Sequence, residues 1–146
     1  MSASGVAAFD KTLQLTNVWL DEIMEHQGPD RQRAWHILSA VLHTVRDRLP
    51  ADLAAHLSAQ LPLLVRGAYY DQYEPSKQPT RSRTLDEFLG QVKDELAFTR
   101  PVDAKEAVQT VFHVLSHHLD PGETRKIRDS LPQDVRALWP DPAERH

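Results

Sequence analysis

A block of ten residues returns seventy positions further on, and this recurrence limits the possible folds more than any other feature. Gln60–Tyr69 reads QLPLLVRGAY, and Ser130–Trp139 reads SLPQDVRALW. Leu61, Pro62, Val65 and Arg66 fall on Leu131, Pro132, Val135 and Arg136, and Tyr69 falls on Trp139. The register extends backwards without a gap, pairing Leu49 with Leu119, His43 with His113, Val41 with Val111 and Ala34 with Ala104. The chain therefore reads as two copies of one unit within a single domain, 1–146. Unit one is 7–73, a linker follows at 74–83, and unit two is 84–140. Two units are too few for a solenoid, which needs about three or more repeats to cover its faces. The expected solution is one globule whose halves pack about a pseudo-two-fold axis, as the subunits of an isologous dimer do.

Both units read as helical. Phe9, Leu13, Thr16, Leu20, Ile23 and Met24 recur at helical spacing over 6–25, and Gly28-Pro29 stops the run. Asp30 is placed to cap a second helix, about 31–48, with Ala34, Ile37, Leu38, Val41, Leu42, Val45 and Leu49 on one stripe. Pro50 and Pro62 each open a new segment. The fourth helix has Leu61, Leu64, Val65, Ala68 and Tyr69 on its apolar side. Tyr73–Arg83, YEPSKQPTRSR, reads as a linker with little to bury. Unit two opens with the capping box Thr84-Leu-Asp-Glu87 ahead of Leu85, Phe88, Leu89, Val92 and Leu96. A one-residue gap in the register pairs Trp19 and Ile23 with Phe88 and Val92 and preserves the apolar pattern. Asp103 with Glu106, and Asp120 with Glu123, repeat the capping chemistry. A last short helix carries Val135, Leu138 and Trp139. Pro140 ends it, and 141–146 reads as a frayed tail. The fold class is thus all-α, a compact bundle of about six to eight helices, with Trp19, Trp35, Tyr69, Phe88, Phe112 and Trp139 near its core.

Composition narrows the function classes. The chain has no cysteine, which excludes disulfides, thiolate metal sites and thiol catalysis and fits a reducing compartment. A formal net charge of −4 disfavours general nucleic-acid binding. The opening MSASGVAAFDKTLQL lacks a basic region followed by an apolar run, so it does not read as a secretory signal. No apolar stretch approaches the ~20 residues of a membrane span. The expected setting is the cytoplasm.

The segments LHTVRDRLP, LSAQLPLLVRGAYYDQYEP, FLGQVKDEL and LPQDVRALWP resemble the bacterial domain of unknown function 2267 family. The resemblance covers about Phe9 to Pro140, and its most specific part is the QLP…RG.YY element. It implies an all-helical fold and a bacterial source, and it supplies no catalytic residues, no cofactor and no established activity.

Chemistry-bearing residues remain to be weighed. His36, His43 and Asp47 are spaced i, i+7 and i+11 on one face of the second helix. Their counterparts are Glu106, His113 and His117. All six are possible ligands for zinc or iron, with His43 and His113 at the centres of the two sets. The stripe lies opposite the apolar face, where a solvated helix surface uses the same residue types, and that reading is preferred. Neither HExxH nor ExxH is present. Arg66 and Arg136 could form a symmetric anion site, but a shared packing need fits them better, with each guanidinium tied to a carboxylate or to helix-end carbonyls. Lys77, Arg81 and Arg83 beside Tyr69, Tyr70 and Tyr73 could contact phosphate or nucleic acid, though three dispersed cations usually mark a solvated loop. No Gly-rich phosphate cradle or GxSxG elbow occurs. The expected function is non-enzymatic, acting through a homodimer or another protein, with metal binding through the histidine stripe as the alternative.

Overall fold

The computed structural model describes residues 3–140, so the tail at 141–146 lies outside the described residues. The helices are α1 (Ala7–Gln27), α2 (Arg31–Arg48), α3 (Ala51–Ala59), α4 (Leu63–Tyr70), α5 (Leu85–Glu95), α6 (Ala104–His118), α7 (Pro121–Ser130) and α8 (Gln133–Arg136), with a 3-10 turn at Pro75–Lys77. No strand occurs among the described residues.

The helix boundaries follow from local chemistry. Asp30 accepts from the Arg33 N–H at 3.1 Å, Thr84 from Glu87 at 3.1 Å and Asp103 from Glu106 at 3.1 Å. Each thereby satisfies a backbone donor that has no partner within its helix. Asp120 accepts from both Gly122 and Glu123 ahead of Pro121 in the first turn of α7. Gly28 closes α1 with φ at 98°, a conformation that a Cβ strains, and its N–H returns to the Met24 carbonyl.

α1, α2, α5 and α6 pack on one another, while α3–α4 and α7–α8 flank them. The pairings run in parallel. α1 meets α4 and α6, and α5 meets α8 and α2. Ile37, Val41, Val45 and Leu49 of the α2 segment are fully buried beside Val108, Val111, Phe112 and Leu115 of α6 in one continuous core. Leu61 and Leu131 are both buried, as are Val65 and Val135. Of the six large residues expected near the core, five are buried and Trp35 is partly buried against it.

The apolar stripes need correction at three residues. Phe9 and Leu13 are not core residues, being 58% and 53% exposed, because Thr12 and Thr16 take the inward side of α1 there. Leu64 is also exposed, at 44%. The linker buries little, as expected, and it is tied down by hydrogen bonds. The Thr80 N–H donates to the Asp47 carbonyl at 2.7 Å, the Gln78 amide to the Arg46 carbonyl at 2.7 Å, and Arg48 to the Ser82 hydroxyl at 2.8 Å. The segment is strapped across the end of α2.

Candidate functional site

The polar groups that matter sit at the C-terminal ends of α2 and α6. Arg46 is 4% exposed and donates to the carbonyls of Tyr69 (2.6 Å) and Asp71 (3.0 Å), so it caps the end of α4. Its guanidinium pairs with Asp47 at 2.9 Å and lies 5.0 Å over the Tyr73 ring. Arg48, 2% exposed, donates to the Thr44 carbonyl and, at 2.8 Å, to the Gln91 side-chain oxygen, and it stacks over Phe88 at 5.0 Å. Burial pushes its pKa below the usual arginine value, against the opposing pull of Asp47 and Glu87. Neither arginine is marked by the helical periodicity, which assigns charged residues at a helix end to solvent.

The six stripe residues do not assemble as two metal triplets. His43 is buried: its Nδ1 meets the Glu95 carboxylate at 2.6 Å and its Nε2 meets the Ala68 carbonyl at 2.6 Å. With the carboxylate ionised both partners are acceptors, so both ring nitrogens must donate and the ring is an imidazolium. Burial lowers its pKa, but the Glu95 hydrogen bond, the Ala68 carbonyl and the Glu95 charge outweigh this, leaving it raised above 6.5. With both nitrogens engaged, His43 has no lone pair for a metal. His36 packs edge-on against Phe98, and Asp47 takes a hydrogen bond from Gln91 at 2.9 Å. Glu106 and His113 are exposed along the cleft between α1 and α6.

His117 is the exception. Its Nδ1 lies 2.6 Å from one Glu22 carboxylate oxygen, and His118 Nε2 lies 2.6 Å from the other. His118 also stacks on Trp19, with centroids 5.2 Å apart and planes 18° apart. Glu22, His117 and His118 offer ligand atoms within 4.8 Å of one another, the one such His/Cys/Asp/Glu group among the described residues. A cleft of about 450 Å³ opens beside it, lined by Glu22, Glu25, His26, His113 and His117 among others. Sequence reasoning found His117 but neither of its partners. His118 lies off the i, i+7, i+11 stripe, and Glu22 comes from another helix 95 positions away.

The paired arginines bind helix-end carbonyls. Arg66 donates to the carbonyls of Ser58 (2.9 Å) and Leu61 (3.2 Å), and Arg136 to that of Leu131 (3.1 Å). Each closes the turn leading into its own short helix and reaches the carbonyl five residues back.

The profile of a family of uncharacterised conserved proteins, domain of unknown function 2267, matches residues 16–138. The chain belongs to this family. The matched span takes in both halves of the DUF2267 chain, and with them Glu22, His43, Arg48, His117 and His118. No curated protein matches the chain. No helix among the described residues is long and apolar enough to cross a membrane.

Proposed function

We propose that the protein is non-enzymatic and acts by associating with a second copy of itself. The observation that carries this is the apolar surface at the N-terminal end of α1 and the start of α4. Val6, just before α1, is exposed, as are Phe9 and Leu13 on α1 and Leu63 and Leu64 on α4. The Leu64 N–H donates to the Thr12 hydroxyl at 3.0 Å, which seats the start of α4 against the turn that carries Phe9 and Leu13. Single exposed leucines are ordinary, but a cluster of large side chains from two adjoining elements marks an interaction surface. A second copy is the economical occupant, since a two-fold contact joins one patch to its own image and needs no other complementary surface. We also infer that the two halves arose by duplication, supported by the equivalent burial of Leu61 with Leu131 and Val65 with Val135 and by the matching roles of Arg66 and Arg136. A cytoplasmic setting in a bacterium belongs to this reading and agrees with the absence of cysteine.

Sedimentation equilibrium on the full chain tests the association over about 1–100 µM, the range in which a modest interface populates both states. A dimer is expected, reduced to monomer by combining Phe9→Asp with Leu64→Asp. A single monomeric mass throughout for the unaltered chain removes the proposal. Metal binding is the second reading, and it rests on a separate observation, the convergence of Glu22, His117 and His118.

A further inference from the structure

We propose that Glu22, His117 and His118 form a binding site for one divalent transition-metal ion of the zinc class. The donor set is two imidazoles and one carboxylate, which suits zinc and neighbouring first-row ions and is a poor set for calcium or magnesium, which take oxygen ligands. The convergence is not a by-product of helix geometry. Adjacent residues on a helix point about 100° apart, yet His117 Nδ1 and His118 Nε2 each reach a different oxygen of one carboxylate on α1, both at 2.6 Å. His118 is the last residue of α6 and is held flat against Trp19, so the site is braced by packing as well as by hydrogen bonds.

The other half of the chain supplies a comparison. Seventy positions before His117 and His118 stand Asp47 and Arg48, and in the gapped register Glu22 and Trp19 answer to Gln91 and Phe88. The same contacts recur there. Arg48 donates to Gln91 at 2.8 Å, Gln91 donates to Asp47 at 2.9 Å, and Arg48 stacks on Phe88. In that place the residues are arginine, amide and aspartate, whose contacts are donor to acceptor throughout and need no further ion. In the second half each polar position holds a metal-binding type. The second arrangement is also held by hydrogen bonds without an ion, but only there can all three groups turn a nitrogen or oxygen lone pair of the zinc-binding type to one point.

Binding is chemically simple. The ring nitrogens now facing Glu22 each give up their proton, to the other ring nitrogen or to solvent, and present a lone pair. Metal–ligand bonds of about 2.0–2.2 Å set tetrahedral ligand atoms roughly 3.3 Å apart, so the present 2.6 Å spacing has to open by roughly 0.7 Å. His117, whose side chain is 57% exposed, is free to make that movement. Three protein ligands leave at least one coordination position for water or a small anion. Glu22 and His117 both line the adjoining cleft, so that position faces an open space.

The experiment uses the full chain, freed of metal by a chelator, and zinc or cobalt(II) chloride alone as the probe. Calorimetry is expected to give one ion per chain, and cobalt an intense visible band of a low-coordinate nitrogen–oxygen site. Glu22→Gln and His117→Ala should each weaken binding by more than about tenfold, the least that loss of a merely supporting residue typically costs. His56→Ala, on α3, should leave it unchanged. In the unaltered chain, zinc should shift the ring resonances of His117 and His118 and not those of His56, a readout that does not depend on any variant folding. Absence of saturable one-to-one binding overturns the proposal. So does an adventitious ion only, recognised by binding that survives both substitutions or by resonance shifts spread evenly over all histidines.

Discussion

His43 shows how a residue classed as solvated by its helical position becomes structural once its neighbours are known. Its two acceptor partners require the imidazolium, and its pKa is raised above the ordinary 6.5. A raised folded-state value means that the stabilisation is complete below the unfolded value of about 6.5 and is lost as pH rises through the folded value. We therefore expect the melting temperature of the unaltered chain to fall relative to His43→Gln as pH rises from below the unfolded value of about 6.5 through the raised folded value. A difference that stays flat or widens upward with pH contradicts the assignment. Truncation is costlier. His43→Ala leaves the Glu95 carboxylate and the Ala68 carbonyl without their donor, at about 1–3 kcal/mol. His113, its counterpart in the second half, is exposed, so His113→Ala should stay within about 0.5 kcal/mol in metal-free protein. Denaturant titration of the two variants under one buffer separates these magnitudes.

Where a helix begins and ends was legible from the chain, because capping is local. Asp30, Thr84, Asp103 and Asp120 act through N–H groups two or three residues ahead, and Gly28 acts through its own φ. Gly28→Ala should cost about 1 kcal/mol or more through conformation alone, since no atom lies within 4 Å of the added Cβ. What was not legible is what lies across from each helix face. Periodicity assigned His36, His43 and Asp47 to one stripe, but the residues that decide their roles, Phe98, Glu95 and Gln91, come from the α5 region. The 74–83 segment buries little, as its composition predicts, but its hydrogen bonds to Arg46, Asp47 and Arg48 were not legible for the same reason. Arg48→Ala should remove the tie to Ser82 and leave the backbone there open to trypsin at Arg81 and Arg83. Faster cleavage at these bonds under native conditions, with helix content unchanged, is the expected result; an unchanged cleavage rate would show that Thr80 and Gln78 hold the strap alone.

The packing of the two halves sets how the chain must fold. α1 lies on α6, α2 on α5 and α6, and α3 on α7, so three of the four helices of the first half are covered by one from the second. Neither half has a separate core: Trp19, Ile23 and Val41 belong to the same buried cluster as Phe88, Val111 and Phe112. A fragment ending at residue 83 would expose the faces of α1 and α2 that α5 and α6 now cover, and chains of that size are marginal even with an intact core. Repeat arrays that contact only their neighbours can unfold in stages, whereas one shared core predicts a single transition. Tryptophan fluorescence and far-ultraviolet circular dichroism of the full chain should therefore give coincident thermal or denaturant curves. Trp19 and Trp35 report from the first half and Trp139 from the second, so variants that each retain one tryptophan follow the halves separately. The expected outcome is one midpoint for both reporters and a non-cooperative curve for the fragment 1–83. Two separated midpoints, or a fragment that unfolds cooperatively, would mean that each half carries enough buried surface to stand alone, and the interleaved packing would then be a docking of two finished units.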